Sequence, residues 1–233
     1  MRFFKVANAR RPTPLLWGMM LGVLALLFAD IGYAQTPADP NASEMQFKRI
    51  LMLPVYDMRA VYGESFSLQG PLSGKVFGID QVDPQAVDFV RITIASVLEQ
   101  KGSFHLLPAA PQDVESMAGL APVAGSRAER ISAIQKAADR KGADVALCTY
   151  IYAFRNRVGT AYGVESPTMV AFEMNLVSAA TGRIVWRRDF TETQTTLNDN
   201  LFQLGKFLQR KGRWVTAEEM AAKAIEELLS SLP

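Results

Sequence analysis

The chain has one histidine, His105, and one cysteine, Cys148, so the usual pairs of catalytic and metal-binding side chains are scarce. A metal site built without Cys and His pairs would rest mostly on carboxylates, and none of these fall at ligand spacing. A serine or cysteine nucleophile needs a base, and with one histidine and no G-x-S-x-G elbow few layouts exist. Cys148 lies inside an apolar run, where a thiol is a small buried residue rather than a low-pKa nucleophile. His105 beside Phe104 reads as a structural strand residue. Residues 70–76, GPLSGKV, look like a phosphate-binding loop. They hold three residues between the glycines and Val76 after Lys75, where that motif needs four and a Ser or Thr. A surface turn is the better reading. Glu218 and Glu219 fall in the first turn of a helix, where the dipole accounts for acids. No cofactor, metal or catalytic set is expected. A hydrolase working through carboxylates is the enzymatic alternative.

The basic and aromatic side chains suit binding better. Arg155 and Arg157 share one face of a strand-like run, while Arg187 and Arg188 point to opposite faces. They could form a patch for anionic groups, although cross-strand pairing with Glu173 and Asp189 is the plainer expectation. Lys206, Phe207, Arg210, Lys211, Arg213 and Trp214 interleave bases with aromatics, a mix suited to a membrane surface or a partner. The plainer reading has Phe207 and Trp214 pinning helices. Tyr62 and Lys75 lie in a glycine-spaced connector, residues 59–82, and Tyr162 in the connector 159–167. Connectors this long are commonly functional. The partner-binding candidates are therefore Tyr62, Lys75, Arg155, Arg157, Tyr162, Lys206, Arg213 and Trp214.

These residues need a frame, and residues 144–190 supply most of it. Residues 145–154 are almost continuously apolar, as expected of a strand covered on both faces. Residues 169–177 alternate, with Val170, Phe172, Met174 and Leu176 on one face and Glu173 and Asn175 on the other. Residues 183–190 set Ile184, Trp186 and Phe190 against Val185, Arg187 and Asp189, after a small turn ending at Gly182. Upstream, residues 47–58 are a first strand in which Pro54 marks an end, an edge or a bulge. Asp83 and Pro84 open a helix with the stripe Val87, Val90, Ile94, Val97 and Leu98, closed by Gly102. Residues 104–107 are a short strand, and a short helix is expected near 113–117. Ser126 with Glu129, and Thr216 with Glu219, are capping boxes. They start a helix running to Gly142 and a terminal helix with the stripe Ala221, Ile225, Leu228 and Leu229. A further helix is expected near 198–210. The order β-α-β-α-β-β-β-α-α predicts one α/β domain over residues 47–233, a mixed sheet of about five strands flanked by helices.

The N-terminus reads differently. Arg2, Lys5, Arg10 and Arg11 precede an apolar run over residues 15–29, and Tyr33 is flanked by the small residues Gly32 and Ala34. This predicts a signal peptide over residues 1–34, cleaved after Ala34, with an uncleaved N-terminal anchor as the alternative, then a flexible leader over 35–46. The whole chain has 25 Lys+Arg and 23 Asp+Glu. Removing four bases and one acid, Asp30, leaves 21 against 22, a net charge of about −1 that does not point to nucleic acid. No cysteine lies near residues 30–36 to take a lipid.

The opening ILMLPVYDM, the helix ending KGSFHLLP, the helix entering KGADVALCTYIYAF and the pair MVAFEMNLVSAATGRIVWRRDF together resemble a family of bacterial envelope domains. That family includes the TolB N-terminal domain, LpoB and CsgG. Residues 190–225 also resemble tails of deltaproteobacterial envelope proteins. The resemblance covers roughly residues 47–190 and implies an anticodon-binding-like α/β fold with a role in partner binding or assembly. The expectation is a non-enzymatic periplasmic adaptor with an envelope protein partner. A homo-oligomeric assembly or secretion-channel component is the alternative.

Overall fold

The apolar residues 50–55 start the main sheet. In a computed structural model that describes residues 47–109, 125–159, 164–194 and 215–233, they lie in strand β1 (Arg49–Asp57). Next come helix α1 (Met58–Tyr62) and a hairpin of β2 (Ser67–Gln69) and β3 (Val76–Gly78). Helix α2 (Ala86–Lys101), strand β4 (His105–Pro108), helix α3 (Arg127–Lys141) and strand β5 (Val145–Arg155) follow. A small pair, β6 (Val158–Gly159) and β7 (Val164–Ser166), precedes the hairpin of β8 (Met169–Ser178) and β9 (Ile184–Thr193). Helix α4 (Ala217–Ser230) is the last described element. The expected signal and leader, and the helices expected near 113–117 and 198–210, lie outside the described residues.

The main sheet has five strands in the order β4-β1-β5-β8-β9. It is parallel across β4, β1 and β5 and antiparallel from β5 to β9. This is the mixed α/β architecture that the pattern predicts. Strand β5 is almost continuously apolar because both faces are covered. On one face Ile50, Val145, Phe172 and Trp186 meet Val90, Ile94 and Leu98 of α2, and Ala221, Ile225 and Leu229 of α4. On the other, Leu51, Ala146, Tyr152 and Ala171 meet Ile134 and Ala138 of α3, Met58 of α1, and Leu72 and Phe77 of the β2–β3 hairpin. Each fully buried large side chain stabilises the fold by about 1.5–3 kcal/mol relative to exposure.

Local signals explain most element ends. Ser126 Oγ accepts from Glu129 N at 3.3 Å and the Glu129 carboxylate accepts from Ser126 N at 2.6 Å. Thr216 and Glu219 repeat the arrangement at 3.1 and 3.2 Å. Pro54 sits where the β1–β5 register shifts between Met52 and Val55, and β4 pairs β1 only as far as Met52. The ladder thus asks for no donor at the proline.

Three expectations need correcting. Helix α2 starts at Ala86 and not at Pro84, because Asp83 Oδ1 accepts from Gln85 N at 2.9 Å and closes a turn first. The connector 59–82 is not an open loop but holds α1 and the β2–β3 hairpin. Ile184 does not share a face with Trp186. Leu176 pairs with Trp186 while Val177 pairs with Ile184, so Val185 is an extra, bulged residue that resets the alternation. Ile184 therefore packs with the α3 face, whereas Trp186 and Phe190 pack with α2 and α4.

Asp144 ties the start of β5 to the start of β1. Its Oδ2 accepts from the Lys48 and Arg49 amides at 3.0 and 2.9 Å, and its Oδ1 meets the Arg49 guanidinium at 2.8 Å. The side-chain and backbone donors of Arg49, then that of Lys48, hold the carboxyl down to about 2. A carboxylate lowered in the fold contributes stability above its unfolded pKa, near 4, and loses it as pH falls toward about 2. Asp144→Asn is expected to cost only about 1 kcal/mol at neutral pH, since the pair is partly exposed and solvent-screened. It should also flatten the acid limb of urea-melt stability between about pH 4 and 2. Identical acid limbs for both proteins would refute this.

Candidate functional site

The connector 59–82 is built rather than loose. Asp57 Oδ1 accepts from the Arg59 and Ala60 amides at 2.8 and 3.0 Å and starts α1, which turns the chain away from the sheet. The chain then crosses the α3 face as the β2–β3 hairpin, in which Leu68 pairs with Phe77. Phe77 stacks on Tyr152 with centroids 4.1 Å apart and planes 6° apart. At the tip, Lys75 pairs with Asp189 of β9, and an Arg187 nitrogen donates to Ser73 O at 3.4 Å. Lys75 Nζ also lies 5.4 Å from the Phe77 ring centroid. The segment returns along β5, where Asp80 N donates to Tyr152 O at 3.0 Å and Phe154 N to Gln81 O at 2.9 Å. Residues 70–76 therefore form the tip of a β-hairpin. A phosphate-binding loop needs a strand-to-helix turn, so that reading fails on geometry as well as spacing.

Beneath the hairpin lies Glu173, fully buried on β8. Its Oε1 accepts the Tyr152 hydroxyl at 2.7 Å, while Oε2 is buried with no hydrogen-bond partner among the described residues. Asn175, on the same strand face, is also fully buried, and neither its Oδ1 nor its Nδ2 has a hydrogen bond there. The turn can approach because of Gly70. A Cβ there would stand 2.2 Å from Ser73 Oγ and 2.5 Å from Glu173 Oε1, distances no side chain tolerates. Burial pushes the Glu173 carboxyl above the usual range and Asp189 adds to the rise; Ser73, Tyr152 and Asn175 oppose it. Burial likewise raises the Cys148 thiol and the Tyr150 and Tyr152 hydroxyls, with the Glu173 charge adding to each. Cys148 is thus a buried, protonated thiol, far from a thiolate nucleophile. Glu173 is sealed from solvent, so no substrate reaches its proton while the hairpin is closed.

The pairing expected for the arginines differs from that observed. Arg155 does not meet Glu173. Its guanidinium donates to Asp80 Oδ1 at 2.9 Å and to Pro167 O at 3.2 Å, which clasps the connector 59–82 to the one carrying β6 and β7. Asp189 takes Lys75. Arg157 lies past the end of β5, between β5 and β6, and so shares no strand face with Arg155. Arg187 and Arg188 do diverge, Arg187 to the hairpin and Arg188 to within 5.8 Å of the Trp186 ring centroid. Asn156 Oδ1 accepts from Ala217 N at 2.7 Å and holds the start of α4 at the same end of the sheet. Tyr162, Lys206, Arg213 and Trp214 lie outside the described residues.

The structure adds residues that the pattern did not single out. Phe66 is 99% exposed and Val76 is 58% exposed, and Tyr62, an expected residue, is 38% exposed. All three belong to α1 and the hairpin segment. Phe66 stands between Ser65 and Ser67, and that isolation of an aromatic among polar residues was the available signal. His105 is exposed on the edge strand β4. Among the described residues no three His, Cys, Asp or Glu side chains cluster as a metal site.

No protein-family model matches the chain, and no curated protein matches it. Solved structures to which it is similar include the PelC dodecamer from Paraburkholderia phytofirmans, at 14% identity and TM-score 0.43, covering 79% of this chain and 86% of that one. Lipoprotein GNA1162 from Neisseria meningitidis is similar at 16% identity and TM-score 0.39, covering 70% and 94%. The LpoB C-terminal domain from Escherichia coli is similar at 18% identity and TM-score 0.36, covering 68% and 90%.

Proposed function

We propose that this protein is a non-enzymatic adaptor of the bacterial envelope, and that it binds a protein partner with α1 and the β2–β3 hairpin. The observation that carries this reading is Phe66, wholly exposed on a segment anchored by Phe77, Lys75 and the Asp80–Arg155 clasp. An aromatic held in water on a pre-built segment is a ready anchor. Burying it in a partner's pocket contributes about 1.5–3 kcal/mol at little ordering cost. Tyr62, Val76 and Lys75 stand on the same segment and extend the surface. Arg155 serves by positioning the two connectors. The export pattern of residues 1–34 supports the envelope setting.

The test is affinity capture from envelope extract with residues 35–233 of wild type and of Phe66→Asp. The wild type is expected to retain a defined protein that Phe66→Asp loses, with the melting temperature of the two unchanged. An identical captured set would overturn this surface.

Self-assembly is the second reading, and it rests on β9. This ten-residue strand is one of the two edges of the main sheet among the described residues, and Arg187, Arg188 and Thr191 are exposed along it. Such an edge offers backbone groups to a further strand. Light scattering that finds only monomer across a wide concentration range would remove this alternative.

A further inference from the structure

We propose that the β2–β3 hairpin is a proton-linked flap, closed over the sheet while Glu173 carries a proton and loosened when Glu173 ionises. An ionised carboxylate has two oxygens that both need donors, yet within this closed arrangement Oε2 has none, while Oε1 takes the Tyr152 hydroxyl. A charge buried with half its demand unmet is costly, and a proton removes the charge.

The surrounding charges do not relieve the anion. On β9, Asp189 stands directly across from Glu173 and Arg187 across from Asn175. Asp189 is committed to Lys75, and Arg187 reaches Ser73 O of the hairpin. From β5, Cys148, Tyr150 and Tyr152 face the carboxyl, all with raised pKa values, so they stay neutral. Arg130 of α3 acts on Tyr150, Tyr62 of α1 acts on Tyr152, and Tyr56 of β1 stacks on Tyr150 at 6.0 Å. The raised Glu173 pKa agrees with this census.

The segment that can respond is the one lying on the carboxyl. The turn at Gly70 leaves no room for a side chain beside Glu173 Oε1, Ser73 acts on the same carboxyl, and β2 and β3 have three residues each. A hairpin that short does not persist in water once lifted from its support. Opening hydrates Glu173, whereas the helices on the opposite face are untouched by it. The sign follows from proton binding. The closed form holds its proton to higher pH than the open form, so closure weakens as pH rises from the ordinary glutamate range toward the raised value. This device is independent of the partner reading, because flap opening and capture are measured separately.

Hydrogen exchange read by mass spectrometry, over a pH series and corrected for intrinsic rates, tests it. In wild type, protection across residues 66–80 is expected to fall by about tenfold per pH unit inside that window, while protection in α2 stays level. Glu173→Gln keeps the shape without the charge and is expected to give a flat profile. Equal pH profiles for wild type and Glu173→Gln would overturn the proposal. Lys75→Met keeps Glu173 and removes the tip pair, so it is expected to lower protection overall and preserve the pH dependence. Loss of that dependence in Lys75→Met would assign it to the Asp189 pair and likewise overturn the proposal. If Glu173→Gln does not fold, the Lys75→Met profile and the wild-type Glu173 carboxyl titration by NMR decide. A carboxyl titrating in the ordinary range overturns the flap.

Discussion

Tyr152→Ala is expected to cost about 4 kcal/mol of stability, the order found when a large buried aromatic is truncated. The ring is fully buried, and its loss would remove the stack with Phe77 at 4.1 Å. It would also leave Glu173 Oε1 without its donor at 2.7 Å. The first loss opens a cavity under the hairpin, and the second strands a buried acceptor. Tyr152→Phe separates them, because it keeps the ring and removes only the hydroxyl; its expected cost is about 1–2 kcal/mol. Urea melts at constant pH read both values, with an accompanying fall in melting temperature of about 10 °C for the alanine variant. A cost below about 1 kcal/mol for Tyr152→Ala would mean that the hairpin does not depend on this stack.

Gly182→Val should approach the same size at the far end of the sheet, about 3 kcal/mol. Gly182 ends the β8–β9 turn at φ +67°, a left-handed conformation that costs a side-chain-bearing residue about 1–2 kcal/mol. A Cβ there would also stand 2.7 Å from Gln135 Oε1 and 2.9 Å from Ile131 Cγ2, both on α3. Gln135 is not free to retreat, because its Nε2 donates to Ala179 O in the same turn at 2.9 Å. Overpacking of this kind adds about 1–3 kcal/mol. Thermal melts of wild type, Gly182→Ala and Gly182→Val would show a graded loss. Equal stability for all three would show that α3 and the turn are not in firm contact.

What could be read from the sequence was local. The capping boxes at Ser126 and Thr216, the apolar run of β5 and the small turn closed by Gly182 each reside in a few adjacent residues. The errors arose where a distant segment changed the meaning of a local pattern. Alternation along β8 sets Glu173 and Asn175 on one face without indicating what covers it. Both are buried, and a hairpin about a hundred positions upstream lies against Glu173. Ile184 was misplaced because a single bulged residue, Val185, shifts the parity of the strand, and bulges have no strong compositional mark. Of the candidate site, the length and glycines of the connector 59–82 were legible. Its internal hairpin was not, since β2 and β3 are too short for a period to be counted. The Asp80–Arg155 clasp joins residues 75 positions apart, beyond the reach of pattern.

The placement of α4 bears on the order in which the molecule assembles. Its first turn is held by Asn156, and Trp186 Nε1 donates to Ser231 Oγ just past its end at 3.3 Å. Lys101, at the end of α2, donates to Leu229 O across 128 positions of chain. The apolar face shared by Ile50, Val145, Phe172 and Trp186 is therefore completed by a helix that follows all of its strands in the chain. A contact of such long range forms late, after its loop-closure entropy is met. Until then that face is half open and prone to self-association, a hazard that falls on the nascent chain and not on the finished fold.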